Sequence, residues 1–119
     1  MEHVGHQPAI VYSNLHGPGY SGSSPIGASY TLPQGRVGDA FHLFAIEWEA
    51  DVIRVYFDDR LYNTRTPANL PAGSRWVYER PFFMLLNLAV GGNWPGSPDD
   101  STVFPQQMLV DYVRVYARP

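Results

Sequence analysis

Phe41-His42-Leu43-Phe44-Ala45-Ile46-Glu47-Trp48-Glu49, followed by Ala50-Asp51 and then Val52-Ile53-Arg54-Val55-Tyr56-Phe57-Asp58, is the stretch that decides the fold. In the first run Phe41, Leu43, Ala45 and Glu49 fall on one face, and His42, Phe44, Ile46 and Trp48 on the other. In the second, Ile53, Val55 and Phe57 oppose Arg54 and Tyr56. Alternation with a period of two marks strands half buried in a sheet. Glu49-Ala50-Asp51 is short enough to be a hairpin connection, and Asp58-Asp59-Arg60 reads as the next one, leading into a strand over 61–66.

Outward from this centre, 9–16 and 26–32 read as strands. They flank the Gly-rich loop His16-Gly17-Pro18-Gly19-Tyr20-Ser21-Gly22, which runs on to Ser23-Ser24-Pro25. Residues 33–38 and 67–79 read as irregular. The run 82–90 is nearly all apolar, broken by Asn87, and stops at Gly91-Gly92-Asn93-Trp94-Pro95-Gly96. It is long for a buried strand and short for a helix. Residues 109–116 alternate again and predict a closing strand. No segment carries a 3.6-residue pattern. The expected fold is an all-β antiparallel sandwich, most simply a jelly roll, with 1–119 lying in a single domain.

Composition agrees. Hydrophobic residues make up 45% and charged residues 16%, so the 119-residue chain is globular rather than disordered. Eleven Gly and eleven Pro favour turns over long helices. Aromatic residues reach 14%, which suits strands and also flat polar ligands such as sugars. The net charge is −3 and no basic run occurs, so nucleic-acid binding has no electrostatic footprint. No apolar run approaches the roughly 18 residues that a membrane helix needs. Cysteine is absent, which excludes disulfides and thiolate metal sites. His3, His6 and His42 lack zinc-ligand spacing.

Six segments in order resemble one family. They are Met1-Glu2-His3-Val4-Gly5-His6, His16-Gly17-Pro18-Gly19-Tyr20-Ser21-Gly22, Gly27-Ala28-Ser29-Tyr30, Phe41-His42-Leu43-Phe44-Ala45-Ile46-Glu47-Trp48, Asn87-Leu88-Ala89-Val90-Gly91-Gly92-Asn93-Trp94-Pro95-Gly96 and Val110-Asp111-Tyr112-Val113-Arg114-Val115-Tyr116. Together they are similar to the C-terminal half of a laminarinase-type member of glycoside hydrolase family 16. The resemblance implies a jelly roll whose concave face grips β-1,3- or mixed β-1,3/1,4-glucan and hydrolyses it with retention. The family motif reads Glu-x-Asp-x-x-Glu, and Met1-Glu2 matches its last two letters. Glu2 thus maps to the acid/base. The nucleophile Glu and the assisting Asp map ahead of residue 1, so little hydrolysis is expected of this chain by itself. The two Glu of the motif are an odd number of residues apart, and a bulge near the Met must bring them to one side.

The same resemblance places His16 near the acid/base, where an imidazole could orient a carboxyl or bond a sugar hydroxyl. A turn histidine without a ligand is the alternative. Trp94 becomes a sugar-stacking platform or a loop anchor, and Trp76 could do similar work. Trp48, alternating inside a strand, reads as core. Asn87 is either a buried hydrogen-bond node or a cleft residue, and Asn93 either binds hydroxyls or forms a turn. No cofactor is required. The family often carries a structural calcium ion, with Asp111 as the matching ligand; pairing of Asp111 with Arg114 or Arg118 is the alternative.

A jelly roll interleaves early and late strands. The C-terminal part alone is expected to be a partial sandwich with raw sheet edges, which invites a homodimer through those edges. The partner that the resemblance implies is a β-glucan polysaccharide, with no nucleic acid and no membrane. A non-catalytic glucan-binding module and a truncated fragment are the rival readings. Family members are usually secreted or periplasmic, although the first residues here are polar and show no signal peptide.

Overall fold

A computed structural model describes residues 1–117 and is all-β. The chain divides into two compact units, Met1–Phe83 and Met84–Pro119. Five strands lie in the first: β1 (Ile10–Leu15), β2 (Ile26–Thr31), β3 (Phe44–Glu49), β4 (Val52–Phe57) and β5 (Arg60–Arg65). The first two form an antiparallel pair, and the other three form an antiparallel sheet in the order β3-β4-β5. Three-residue 3-10 turns at Val37–Asp39 and Pro67–Asn69 are the helical elements described. No helix among the described residues is long and apolar enough to cross a membrane.

The expected alternation of the deciding stretch is realised. Phe44, Ile46 and Trp48 lie opposite Phe57, Val55 and Ile53, so all six share one face of the sheet. On the other face Glu47 lies opposite Arg54, whose guanidinium reaches Glu47 at 3.6 Å and Glu49 at 3.0 Å. The strand begins at Phe44 rather than Phe41. Leu43 is held instead by Asp58, whose Oδ1 accepts from the Leu43 N–H at 2.9 Å. The β4–β5 hairpin turns on Asp58 and Asp59, with φ of 48° and 63°. Positive φ at both central residues is the primed turn that matches the twist of paired strands, and Asp tolerates it better than most residues.

Two apolar clusters hold the layers together. Leu15 and Tyr20 pack with Ile53 and Val55, while Val11 and Val37 pack with Phe57. Val11, Ser13 and Leu15 are the inward residues of β1, as its alternating burial shows. Inside, the Asn63 amide donates to Ser13 Oγ at 2.6 Å, joining the two sheets through a buried polar pair. Tyr20, fully buried, closes the Gly-rich loop. Its backbone pairs with Gly17 around Pro18-Gly19, and its hydroxyl donates to the Arg75 carbonyl at 3.1 Å. A Cβ at Gly17 would collide with the Tyr20 phenol, which explains glycine there.

The expected closing strand over 109–116 is corrected, and the run 82–90, whose length fits neither a buried strand nor a helix, forms neither among the described residues. A strand exists only as one side of a hydrogen-bonded pair, and these apolar runs find no partner strand here. In the second unit the backbone pairing is local: Gly92 and Gly96 bond each other across a turn, at 3.0 and 2.9 Å.

Candidate functional site

Glu2 is not a frayed terminus. Its N–H donates to the Tyr12 carbonyl and its own carbonyl accepts from the Tyr12 N–H, both at 2.8 Å. Residues directly opposite in an antiparallel pair point to the same face. Glu2 therefore stands with Tyr12 and Asn14 on the outward face of β1, while its neighbour Met1 turns toward the interlayer space. The Asn14 amide donates to Glu2 Oε2 at 2.6 Å. The Tyr12 hydroxyl donates to Gln7 Oε1, and the His3 imidazole Nδ1 meets the Ile10 carbonyl at 2.8 Å. Met1 to Pro8 thus lies along β1 as an arm, with Val4 buried as its apolar peg.

This face can hold a carboxylate in a fixed place and offer amide, phenol and carboxylate oxygens to a hydroxyl-rich ligand. A cleft of about 310 Å³ lies between the sheets, lined by Met1, Asn14, Leu15, Ile46, Trp48 and Phe82 among others. It is the open end of the apolar core and does not include Glu2.

The other expected residues divide between the units. His16 is exposed beyond the end of β1, where its carbonyl accepts from the Tyr78 hydroxyl at 2.7 Å and the residue lines the interlayer cleft. Burial pushes the Tyr78 phenol well above its ordinary value. Trp76 is half-buried. Its indole N–H donates to the Ala50 carbonyl at 2.7 Å, and its ring packs edge-on against Tyr78 beside the Leu15–Tyr20 cluster. That indole anchors the scaffold. In the second unit Trp94 is 44% exposed within the turn closed by Gly92 and Gly96. Asn93 shares that turn, and Asn87 is exposed rather than a buried node.

Sequence reasoning missed Asn14, although its place two residues after Tyr12 puts it on the face of any strand partner of Tyr12. It also read Trp48 as core. The indole is 46% exposed, donates to the Tyr78 carbonyl at 2.6 Å and meets Phe82 edge-on. The correction has a simple cause: β3 is an edge strand, so its apolar face is only partly covered.

Asp111 is exposed, and no group of three or more His, Asp or Glu side chains that could hold a metal lies among the described residues. Arg114 lies over the Tyr112 ring, 4.2 Å from its centre, rather than on Asp111. Arg118 lies outside the described residues.

Fold and site define a β-sandwich protein that presents a hydrogen-bonded carboxylate on an open sheet face. The model of the glycosyl hydrolases family 16 matches residues 1–114, and the chain belongs to that family. It is 39% identical over 123 aligned residues to a beta-glucanase of Rhodothermus marinus, covering 98% of this chain and 42% of that one. Its structure is similar to the endo-beta-1,3-glucanase from Pyrococcus furiosus, with a TM-score of 0.82 and 46% identity over 87% of this chain and 40% of that chain. The catalytic domain of the laminarinase from Thermotoga petrophila RKU-1 gives 0.81 and 46%, covering 86% and 42%. The chain spans less than half the length of these relatives.

Proposed function

We propose that this chain contributes the acid/base side of a retaining β-glucan hydrolase, with Glu2 as the proton-transferring carboxyl. The observation that carries the reading is the fixed place of Glu2: backbone-paired to Tyr12 and side-chain-bonded to Asn14, on the outward face of the sheet. With Oε2 engaged by Asn14, Oε1 is the oxygen left to give a proton to the leaving glycosidic oxygen and later to take one from water. The relatives named as beta-glucanase and endo-beta-1,3-glucanase support β-1,3- or mixed-linked glucan as substrate.

Retention requires a second carboxylate about 5–5.5 Å from the first, to attack the anomeric carbon and form a glycosyl-enzyme intermediate. In the family motif that residue maps ahead of Met1. The 119-residue chain alone is therefore expected to release negligible reducing ends from laminarin. Release that disappears in Glu2→Gln would overturn this division of labour and mean that another carboxylate of this chain attacks. Release unchanged by Glu2→Gln would remove Glu2 from the reaction.

A second reading, glucan binding without cleavage, is favoured by the exposed Trp94 indole on its glycine-closed turn. Retarded migration in laminarin-containing gels, with no hydrolysis, would support it.

A further inference from the structure

We infer that Gly27 and Asn14 are positioning residues for the Glu2 carboxyl: glycine opposite Asn14 lets the carboxamide oxygen fold over β2, and the amide nitrogen is thereby aimed at Glu2. The inference rests on the reading of Glu2 as the proton-transferring carboxyl, and it adds the residue that sets the direction of its partner. All the residues involved lie in the first unit.

Register comes first. In the β1–β2 pair Asn14 stands directly opposite Gly27. Directly opposed residues of an antiparallel pair point to the same face. A side chain at position 27 would therefore stand beside Asn14 on the outward face. Gly27 is the one glycine in either strand. Glycine weakens a strand interior, and where it occurs another group often approaches closely. Here that group is Asn14. A Cβ at position 27 would collide with Asn14 Oδ1 and with the Ser13 carbonyl oxygen. The carboxamide oxygen thus occupies space that any other residue would fill.

The two ends of a carboxamide are chemically opposite: the oxygen accepts and the nitrogen donates. With Oδ1 laid over Gly27, Nδ2 is left to reach Glu2 Oε2 at 2.6 Å. That polarity suits an ionised carboxylate, which only accepts. Arg65 of β5 donates to the Gly27 carbonyl and ties this part of β2 to the second sheet. A retaining acid/base gives a proton to the glycosidic oxygen and then takes one from water, so the same oxygen must face the sugar in both steps. Ionised, Glu2 accepts from Asn14 through Oε2. Protonated on Oε1, it keeps Oε2 as a carbonyl oxygen that still accepts. Asn14 can therefore hold the group through both steps without turning over. A side chain at position 27 would push the carboxamide aside and free the carboxyl to rotate.

The test is the Glu2 side-chain rotamer in the 119-residue chain, read by NMR from three-bond χ1 couplings, together with the shifts of the Asn14 side-chain amide protons. In the wild type one Glu2 χ1 well should dominate, and one Asn14 amide proton should lie downfield of the other. Asn14→Leu, similar in volume but without a donor, should spread Glu2 over several wells. Glu2→Gln should move the downfield Asn14 proton back upfield, because the charged acceptor is gone. Gly27→Ala should produce both changes. Denaturant titrations then separate the two clashes at position 27: Gly27→Ala should cost clearly less in an Asn14→Ala background than in the wild type. A Gly27→Ala chain that fails to fold, beside a double variant that folds, gives the same support. An equal cost in both backgrounds, or failure of both to fold, would assign the glycine to the Ser13 backbone and overturn its role toward Asn14. A wild-type Glu2 averaged over several wells, or a single well kept in Asn14→Leu, would overturn the proposal outright. Either result could arise with Glu2 still acting as the acid, and the laminarin assay with Glu2→Gln reads that role separately.

Discussion

The Asn14 amide nitrogen lies 2.6 Å from Glu2 Oε2, although the residue directly opposite Glu2 is Tyr12. The contact is a diagonal one on a single sheet face, and it ties a carboxylate to a rigid strand. Glu2 is exposed and Asn14 half-buried, so Asn14→Ala should cost about 1 kcal/mol of stability or less. The arm itself should loosen, with faster amide exchange at Glu2 and Tyr12 and unchanged exchange in β4. Unchanged exchange at Glu2 would mean that the backbone bridge alone holds the arm.

Asn63 and Ser13 form a buried polar link between the layers, at 2.6 Å between Asn63 Nδ2 and Ser13 Oγ. Asn63→Ala strands the Ser13 hydroxyl and leaves a void, at an expected cost of about 1–3 kcal/mol. Combined with Ser13→Ala, the loss should be clearly smaller than the sum of the single changes. Denaturant titrations of the four proteins measure it, and simple additivity would show that the pair is not coupled.

Asp58 links stability to pH. Partial burial pushes its carboxyl up, but the Leu43 N–H and the His42 imidazole, 2.6 Å from Oδ2, outweigh that and hold it below the ordinary carboxylate value. A lowered folded value means that the unfolded chain takes up the proton first as pH falls. The contribution is therefore complete above about pH 4, the unfolded range, and fades as pH drops through the folded value. Asp58→Asn should melt lower than wild type at neutral pH, with the gap closing in acid. A gap that does not change with pH would discount the charge of Asp58.

Asp59, at φ 63°, occupies a position that glycine fits without steric cost. A left-handed conformation costs an L-residue about 1–2 kcal/mol, somewhat less for Asp, and glycine's added chain entropy returns about half of that. Asp59→Gly is expected to stabilise the hairpin by about 0.5 kcal/mol and raise the melting temperature. A lower melting temperature would point to a structural role for the Asp59 carboxylate.

Trp94→Ala should abolish retardation in laminarin gels if the indole stacks on glucose rings, while leaving the melting of β4 and β5 unchanged. Retained retardation would move the platform elsewhere.

Much of this was legible because it is periodic or local. The alternation of Ile53, Val55 and Phe57 against Arg54 and Tyr56 fixed the faces of β4, and Asp58-Asp59 marked a hairpin before any backbone angle was known. The order of motifs pointed to the family. The pairing partners were not legible. Residues 82–90 and 109–116 carry strand-like sequences yet form no ladder among the described residues.

The amino-acid order by itself determined the fold class, the alternation of strand faces and the family. Only the tertiary structure decided that the Glu2 arm pairs with Tyr12, that Asn14 holds the carboxylate, and that Trp48 stands partly open at a sheet edge. The reason is physical. Side-chain periodicity is written within a segment, whereas hydrogen-bond partners and exposure depend on which distant segments come to lie beside it.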